Sequence, residues 1–514
     1  MAFSLVCRQG LYRSIPRSLA TVPRLSIARA QCRKVNTSTE IPPPVVFNVQ
    51  MPTKATQSRG VTLGALKQCL ENDEVIRRNS DVHDTALVLT SPGLARLVCD
   101  NGFLSGLVKT VSCSPRKDGV FNLLVGVADR IAGHPNKNGK RYEEGIAVCR
   151  GNTQLIPNLW KDLPPKQKED SDATSALQFL DFSGSSVTLP LSNTIFNNNK
   201  QSTLIAAQYD ISGPSPKLIK KTETYTQDIV LPANSRARAM LPLTALTPSR
   251  VVTQSFGNIV RAVECYGEDT PASTELEAAV ENVWKIRNES DQSPFPMYAF
   301  VTPEGAPSLL PPDVGRFGDP TLDPKTLLKE ISQNNQYFDE AMRNGGRLYQ
   351  LLSGGGGWGK KKGLLSLDPQ TSHFSLSEED EMAKFFEGGA DSGFAPPGSS
   401  VQFFAPQPLD KKPLPGPFTF GVAGPGDDLP EIEDTMSVSV GNNFVALSNK
   451  AVFLRSTKLK GSILGEVGTS MKLSVPDSRV FLATGQPVEE DSSDIGTTGL
   501  LMPDIMMLPV LDIF

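Results

Sequence analysis

The stretch Ala86-Leu87-Val88-Leu89-Thr90-Ser91-Pro92-Gly93 sets the reading of this chain. A short unbroken apolar run closed by a Ser-Pro-Gly turn is the pattern of a strand buried on both faces. Before it, Leu63, Leu66, Lys67 and Leu70 place apolar groups on one helical face; after it, Leu94, Leu97 and Val98 form a second helical patch. Residues 107–111 and 120–125 follow as strand candidates. Strands alternating with helices predict an α/β fold, with a mixed α+β arrangement left open: a layered mixed sheet carrying helices, in residues 61–305, as one domain or two.

Further strands are expected at residues 177–182, 187–191, 204–207, 225–231 and 297–301, with a polar loop holding Lys161, Lys166 and Lys168 ahead of them. Thr247-Pro248 and Thr270-Pro271 each offer an N-cap followed by proline at the first helical position. Val251, Val252, Phe256, Ile259, Val260 and Val263 then recur at helical spacing, as do Leu276, Ala279, Val280 and Val283. A third helix starts at Asp323-Pro324 and runs toward Gly345-Gly346. Residues 306–400 read as a helical and Gly/Lys-rich connection, including a capping box from Ser375 to Glu378. Residues 401–488 read as a smaller β-rich C-terminal module, in which Gly441-Asn442-Asn443 turns an alternating strand at 436–440 into one at 444–447. Residues 489–514 form an acidic and apolar tail.

The first 40 residues carry a different signal. Arg8, Arg13, Arg17, Arg24, Arg29, Arg33 and Lys34 precede the first acid, Glu40, and alternate with Ser and aliphatic residues. An acid-free, Arg- and Ser-rich amphipathic leader is the composition of a mitochondrial presequence. Residues 41–60, with Pro42-Pro43-Pro44 and Pro52, read as an extended lead-in. Removing residues 1–40 takes seven of 51 basic residues and one of 55 acidic ones, leaving 44 against 54 and a net charge of −10. A body this acidic lacks the broad positive field with which nucleic-acid binders neutralise phosphates. No window reaches the roughly 18 consecutive apolar residues of a membrane-spanning helix. The expected place is the mitochondrial matrix, with peripheral contact to the inner membrane open. Outside the leader, Cys69, Cys99, Cys113, Cys149 and Cys265 are odd in number and without CxxC spacing, as free thiols in a reducing compartment would be.

One run carries phosphate-motif character. Gly354-x-x-x-x-Gly359-Lys360 matches most of a Walker A loop, and Gly354-x-Gly356-x-x-Gly359 matches a dinucleotide fingerprint. Walker A needs Ser or Thr next, and Lys361 stands there; a helical pattern, not a strand, is expected before the glycines. The alternative is a contact loop in which Gly354, Gly356, Trp358, Gly359, Lys360, Lys361 and Lys362 touch a partner or an anionic surface. The three histidines, His83, His134 and His373, show no metal-ligand spacing, and no GxSxG elbow occurs. No metal, cofactor or catalytic residue is therefore assigned. Cys99 with His83 or His134 stays open as a pair assembled by the fold.

Asp84-Thr85-Ala86-Leu87-Val88-Leu89-Thr90-Ser91-Pro92 resembles the early strand of the FIST sensory domain. Val251-Val252-Thr253-Gln254-Ser255-Phe256-Gly257-Asn258-Ile259-Val260-Arg261, with Pro271-Ala272, is similar to that family's later Gly-Asn segment. The Gly-Trp-Gly-Lys run followed by Leu364-Leu365-Ser366-Leu367-Asp368-Pro369 resembles fungal mitochondrial proteins of undefined function. The FIST resemblance implies small-molecule sensing and not catalysis. The expectation is a mitochondrial protein that binds a protein partner or a small ligand. The alternatives are a nucleotide-dependent enzyme using the Gly354–Lys360 loop and an accessory factor of mitochondrial gene expression.

Overall fold

The computed structural model describes residues 43–51, 58–72, 82–112, 119–131, 144–161, 174–181, 185–231, 237–286, 295–307, 309–316, 323–354, 363–370, 394–407, 416–424, 439–456 and 469–482. Strands make up 45% of it and helices 23%, and the helices are few, so the fold is β-rich and the α/β expectation is overturned.

A seven-stranded sheet organises the chain. From one edge its order is Lys217–Glu223, Leu204–Asp210, Val120–Val127, Thr85–Thr90, Glu144–Gly151, Val45–Met51 and Ser439–Gly441. Only the neighbours Thr85–Thr90 and Val120–Val127 are parallel; the other pairs are antiparallel. On one face Phe47, Val88, Phe121 and Val148 are buried with Leu66, Val98, Phe103 and Leu107 of the helices Arg59–Asn72, Ala95–Cys99 and Asn101–Val111. The last of these is capped by Asp100, whose carboxylate accepts from the amides of Gly102 (3.0 Å) and Phe103 (3.3 Å). At its other end Arg150, fully buried in the sheet, donates through Nη1 to the Val111 carbonyl at 2.9 Å.

The opposite face meets more strands, and this is why the α/β reading fails. Leu87, Leu124, Cys149 and Ala206 share one core with Phe179, Val187, Phe420 and Phe444 from two further sheets. One of these runs Thr226–Val230, Ala176–Leu180, Ser186–Pro190, Val452–Ser456, Thr469–Leu473; the other runs Arg238–Met240, Arg479–Leu482, Phe418–Val422, Phe444–Ser448. The rings of Phe179 and Phe420 lie 4.2 Å apart at their centroids, with Phe444 6.0 Å from Phe179. Each such ring taken fully out of water stabilises the fold by about 1.5–3 kcal/mol.

The remaining strands close into a six-stranded antiparallel barrel. Its circuit is Ser400–Pro406, Arg250–Phe256, Ile259–Cys265, Leu365–Leu367, Arg347–Gly354 and Tyr298–Thr302, which pairs back to Ser400–Pro406. Every strand contributes to one interior cluster: Val252, Val260, Ala299, Tyr349, Leu365 and Phe403 are all buried there. The intervening residues Phe300 and Phe404 face outward, and each ring centre lies 5.1 Å from that of Phe338 on the helix Pro324–Arg343, Phe300 tilted and Phe404 edge-on. That helix begins as expected, with Asp323 capping Thr326, and stops where Gly345 adopts φ +90°. An ion pair between Lys472 and Asp368 (2.8 Å) and a bond from the Tyr298 hydroxyl to the Ser474 carbonyl (2.9 Å) tie the barrel to the sheets.

Several local expectations are corrected. The helix expected from Thr247-Pro248 is the barrel hairpin Arg250–Phe256 and Ile259–Cys265, turned at Gly257 with φ +56°. Register shifts between Val252, Gln254 and Ser255 break the two-residue alternation and leave an apolar spacing that mimics a helix. Residues 107–111, expected as a strand, end the helix Asn101–Val111. The extended lead-in contains Val45–Met51, a buried strand of the central sheet. The hairpin expected around Gly441-Asn442-Asn443 does not form: Ser439–Gly441 joins the central sheet and Phe444–Ser448 joins the sheet of Phe418–Val422. The capping box at Ser375 lies outside the described residues.

Two predictions follow from this packing. Arg150→Met strips the donor from the buried Val111 carbonyl at a helix C-terminus and should lower unfolding stability by about 2–3 kcal/mol, read from chemical denaturation. Asp339, on the helix Pro324–Arg343, has its carboxyl raised above the usual range by burial, which outweighs Arg343, the Ala239 amide and Arg238. A carboxyl that binds its proton more tightly when folded gives full stability below the carboxylate range and loses it as pH rises through that range. Asp339→Asn should therefore be the more stable protein near neutral pH, and the two denaturation midpoints should converge in acid.

Candidate ligand-binding cleft

The central sheet changes character at one end of the face that carries Leu87, Leu124 and Ala206. Cross-strand register there lines up Thr85 with Asn122, Asn122 with Gln208, and Gln208 with Lys220. Four neighbouring strands thus place four polar side chains in one row on an otherwise apolar surface. Buried polar groups in such a setting need partners. Gln208 supplies one, donating from Nε2 to the Asn122 side-chain oxygen at 3.0 Å.

The second partner comes from residues 152–161, which lie over this row. Asn152 opens the segment by accepting the Gln154 amide (3.0 Å), and Leu155 and Ile156 bury into the shared core. Gln227 holds the next stretch by donating to the Pro157 carbonyl at 2.9 Å. Asn158 takes φ +60°, the left-handed region that asparagine tolerates, and the Lys161 amide closes the turn on the Asn158 carbonyl at 3.0 Å. The turn delivers Trp160, whose Nε1–H donates to the Asn122 oxygen at 2.9 Å. Across the sheet edge, Lys220 Nζ sits 5.1 Å from the centre of the Trp160 ring, within cation–π range.

The result is a cleft of about 280 Å³. Ile156, Leu159 and Trp160 form its apolar wall, and Thr85, Asn122, Thr153, Asn158 and Lys161 supply its polar groups. An indole N–H can only donate, so the Asn122 atom facing Trp160 is the oxygen. With that oxygen accepting twice, Asn122 Nδ2 has no hydrogen-bond partner among the described residues, although Asn122 is only 8% exposed. The Thr85 hydroxyl donates to Asp84 at 3.0 Å. Lys161 is the single ionisable side chain among the described residues lining the cleft. The arrangement presents a flat apolar wall and a few fixed donors, the composition of small-molecule sites.

The residues singled out in the sequence lie elsewhere. Gly354 ends the barrel strand Arg347–Gly354, while Gly356, Trp358, Gly359, Lys360, Lys361 and Lys362 lie outside the described residues. A strand, not a helix, precedes the glycines, and Gly354 pairs with Leu365 in the antiparallel strand Leu365–Leu367 that follows. A phosphate loop delivers its amides at the mouth of a following helix; here the next described element is a hairpin partner. His83 is buried, and Cys99 accepts a hydrogen bond from Asn198 at 3.4 Å. His134 and His373 lie outside the described residues. Among the described residues no three His, Cys, Asp or Glu side chains gather as a metal site requires, and no helix is long and apolar enough to cross a membrane.

Sequence reading missed Asn122, Trp160, Gln208 and Lys220. The available signal was a lone amide inside each of two apolar strands, Val-Phe-Asn-Leu-Leu-Val-Gly-Val and Leu-Ile-Ala-Ala-Gln-Tyr-Asp. What no pattern supplied was the register that sets the two side by side. No family model matches this chain, and neither the curated proteins nor the solved structures contain a match to it.

Proposed function

We propose that this protein binds a small ligand in the Trp160 cleft and works inside mitochondria without transforming what it binds. The carrying observation is Asn122: its oxygen is fixed by Trp160 and Gln208, and its remaining N–H groups are left for an acceptor in the cleft. Asn122 is only 8% exposed, and its side-chain nitrogen keeps an open face that water or a ligand can satisfy. The resemblance of residues 84–92 to the FIST sensory domain supports the same reading, because Thr85 of that stretch lines the cleft. The address rests on the leader, with seven cations and no acid before Glu40.

Thermal-shift screening of the full chain against small metabolites should yield compounds that raise its melting temperature, since a ligand bound only by the folded state stabilises by mass action. Trp160→Ala should cancel those shifts; shifts that persist unchanged in that variant would place the ligand elsewhere. Residues 1–40 fused to a fluorescent reporter should carry it into mitochondria, and a reporter left in the cytosol would refute the address.

A further inference from the structure

We infer that the cleft selects a small organic carboxylate, one without a neighbouring ammonium group; this rests on the cleft being the ligand site. Three features set the charge. Asn122 presents only donors, because both donor-bearing partners, Trp160 and Gln208, occupy its oxygen. Lys161 supplies a full positive charge on the lining, and Lys220 supplies a second behind the indole. No carboxylate lines the cleft among the described residues, and Asp84, next to the lining residue Thr85, accepts from the Thr85 hydroxyl. Among the described residues, a ligand cation would meet two like charges and no carboxylate on the lining. A carboxylate meets a neutral amide N–H and an ammonium, the charge-assisted pairing that is stronger than a neutral one.

Shape sets the remainder. The cleft is small, at about 280 Å³, and its apolar wall is formed by Ile156, Leu159 and the Trp160 indole. The anion is therefore compact, with a flat or aliphatic body placed against that wall and its oxygens toward Asn122 and Lys161. Lys220 is held over the indole and acts through the field it adds, while Lys161, on an exposed turn, is free to close on the oxygens.

The test is calorimetric titration of the full chain with benzoate and with benzamide, a pair alike in shape and different in charge. Benzoate should bind and benzamide should bind at least about tenfold more weakly, the loss expected when a charge-assisted bond becomes neutral. Lys161→Gln should weaken benzoate by a similar factor without touching the core. Asn122→Asp keeps acceptors for Trp160 and Gln208 while putting a negative charge where the amide donor stood, so it should abolish benzoate binding. Benzamide binding as tightly as benzoate would overturn the selection of an anion while leaving the cleft as a ligand site. Benzoate affinity unchanged in both variants would overturn the assignment to this cleft. Heat from neither probe would overturn the carboxylate inference, and metabolite shifts abolished by Trp160→Ala would then still uphold the ligand site itself.

Discussion

Burial of the central sheet on both faces is the constraint from which the other parts take their positions. A strand such as Thr85–Thr90, buried at every residue, can exist only where both of its surfaces are covered. Helices cover one surface, since Leu66, Phe103 and Leu107 supply apolar groups at helical spacing. The other surface is covered by two sheets whose phenylalanines interdigitate with Leu87, Leu124 and Ala206. Those sheets are assembled from distant parts of the chain: Ala176–Leu180 and Ser186–Pro190 pair onward with Val452–Ser456. The C-terminal strands are thus recruited to complete sheets begun much earlier, and the shared core makes the two ends of the body interdependent.

The barrel solves a different problem. A sheet with open edges presents unpaired amides and carbonyls, and closure removes them. With six strands the interior is narrow enough to be filled by Val252, Val260, Leu365 and Phe403 and their neighbours. Its outer surface then becomes an interface: Phe300 and Phe404 meet Phe338, and the helix carrying Phe338 also donates from Asn334 and accepts through Asn335 at the strand segment around Leu241 and Leu243. The barrel and the central sheet therefore share one continuous apolar core, reinforced by Lys472 with Asp368.

Much of the local structure was legible because it is written in short-range chemistry. Apolar runs marked Thr85–Thr90 and Val120–Val127, and Asp323-Pro324 marked a helix start. The layer architecture was not legible, because a strand buried on both sides looks the same whether helices or sheets lie above it. The barrel hairpin was misread for a physical reason: bulges in Arg250–Phe256 shift the phase of its side chains. Val45–Met51 was hidden by the prolines before it, although Val45, Phe47, Val49 and Met51 alternate cleanly. Of the cleft, only Lys161, as part of a polar loop, and Thr85, within the FIST-like strand, stood out in advance.

The cleft itself follows from where two-sided burial runs out. Toward Leu87 and Leu124 the sheet face is sealed by aromatic packing, and toward Thr85 and Asn122 that cover ends. Apolar residues there would be left facing water, whereas polar ones need a roof to order them. The segment 152–161 provides that roof by anchoring Leu155 and Ile156 in the core and extending Trp160 over the row. A tryptophan satisfies both demands at once, since its ring covers apolar surface while its N–H binds the amide below. The amide that receives that bond is committed to it through its oxygen, so its nitrogen is turned to the space left open. An opening lined by fixed donors thus arises from the way the core is closed.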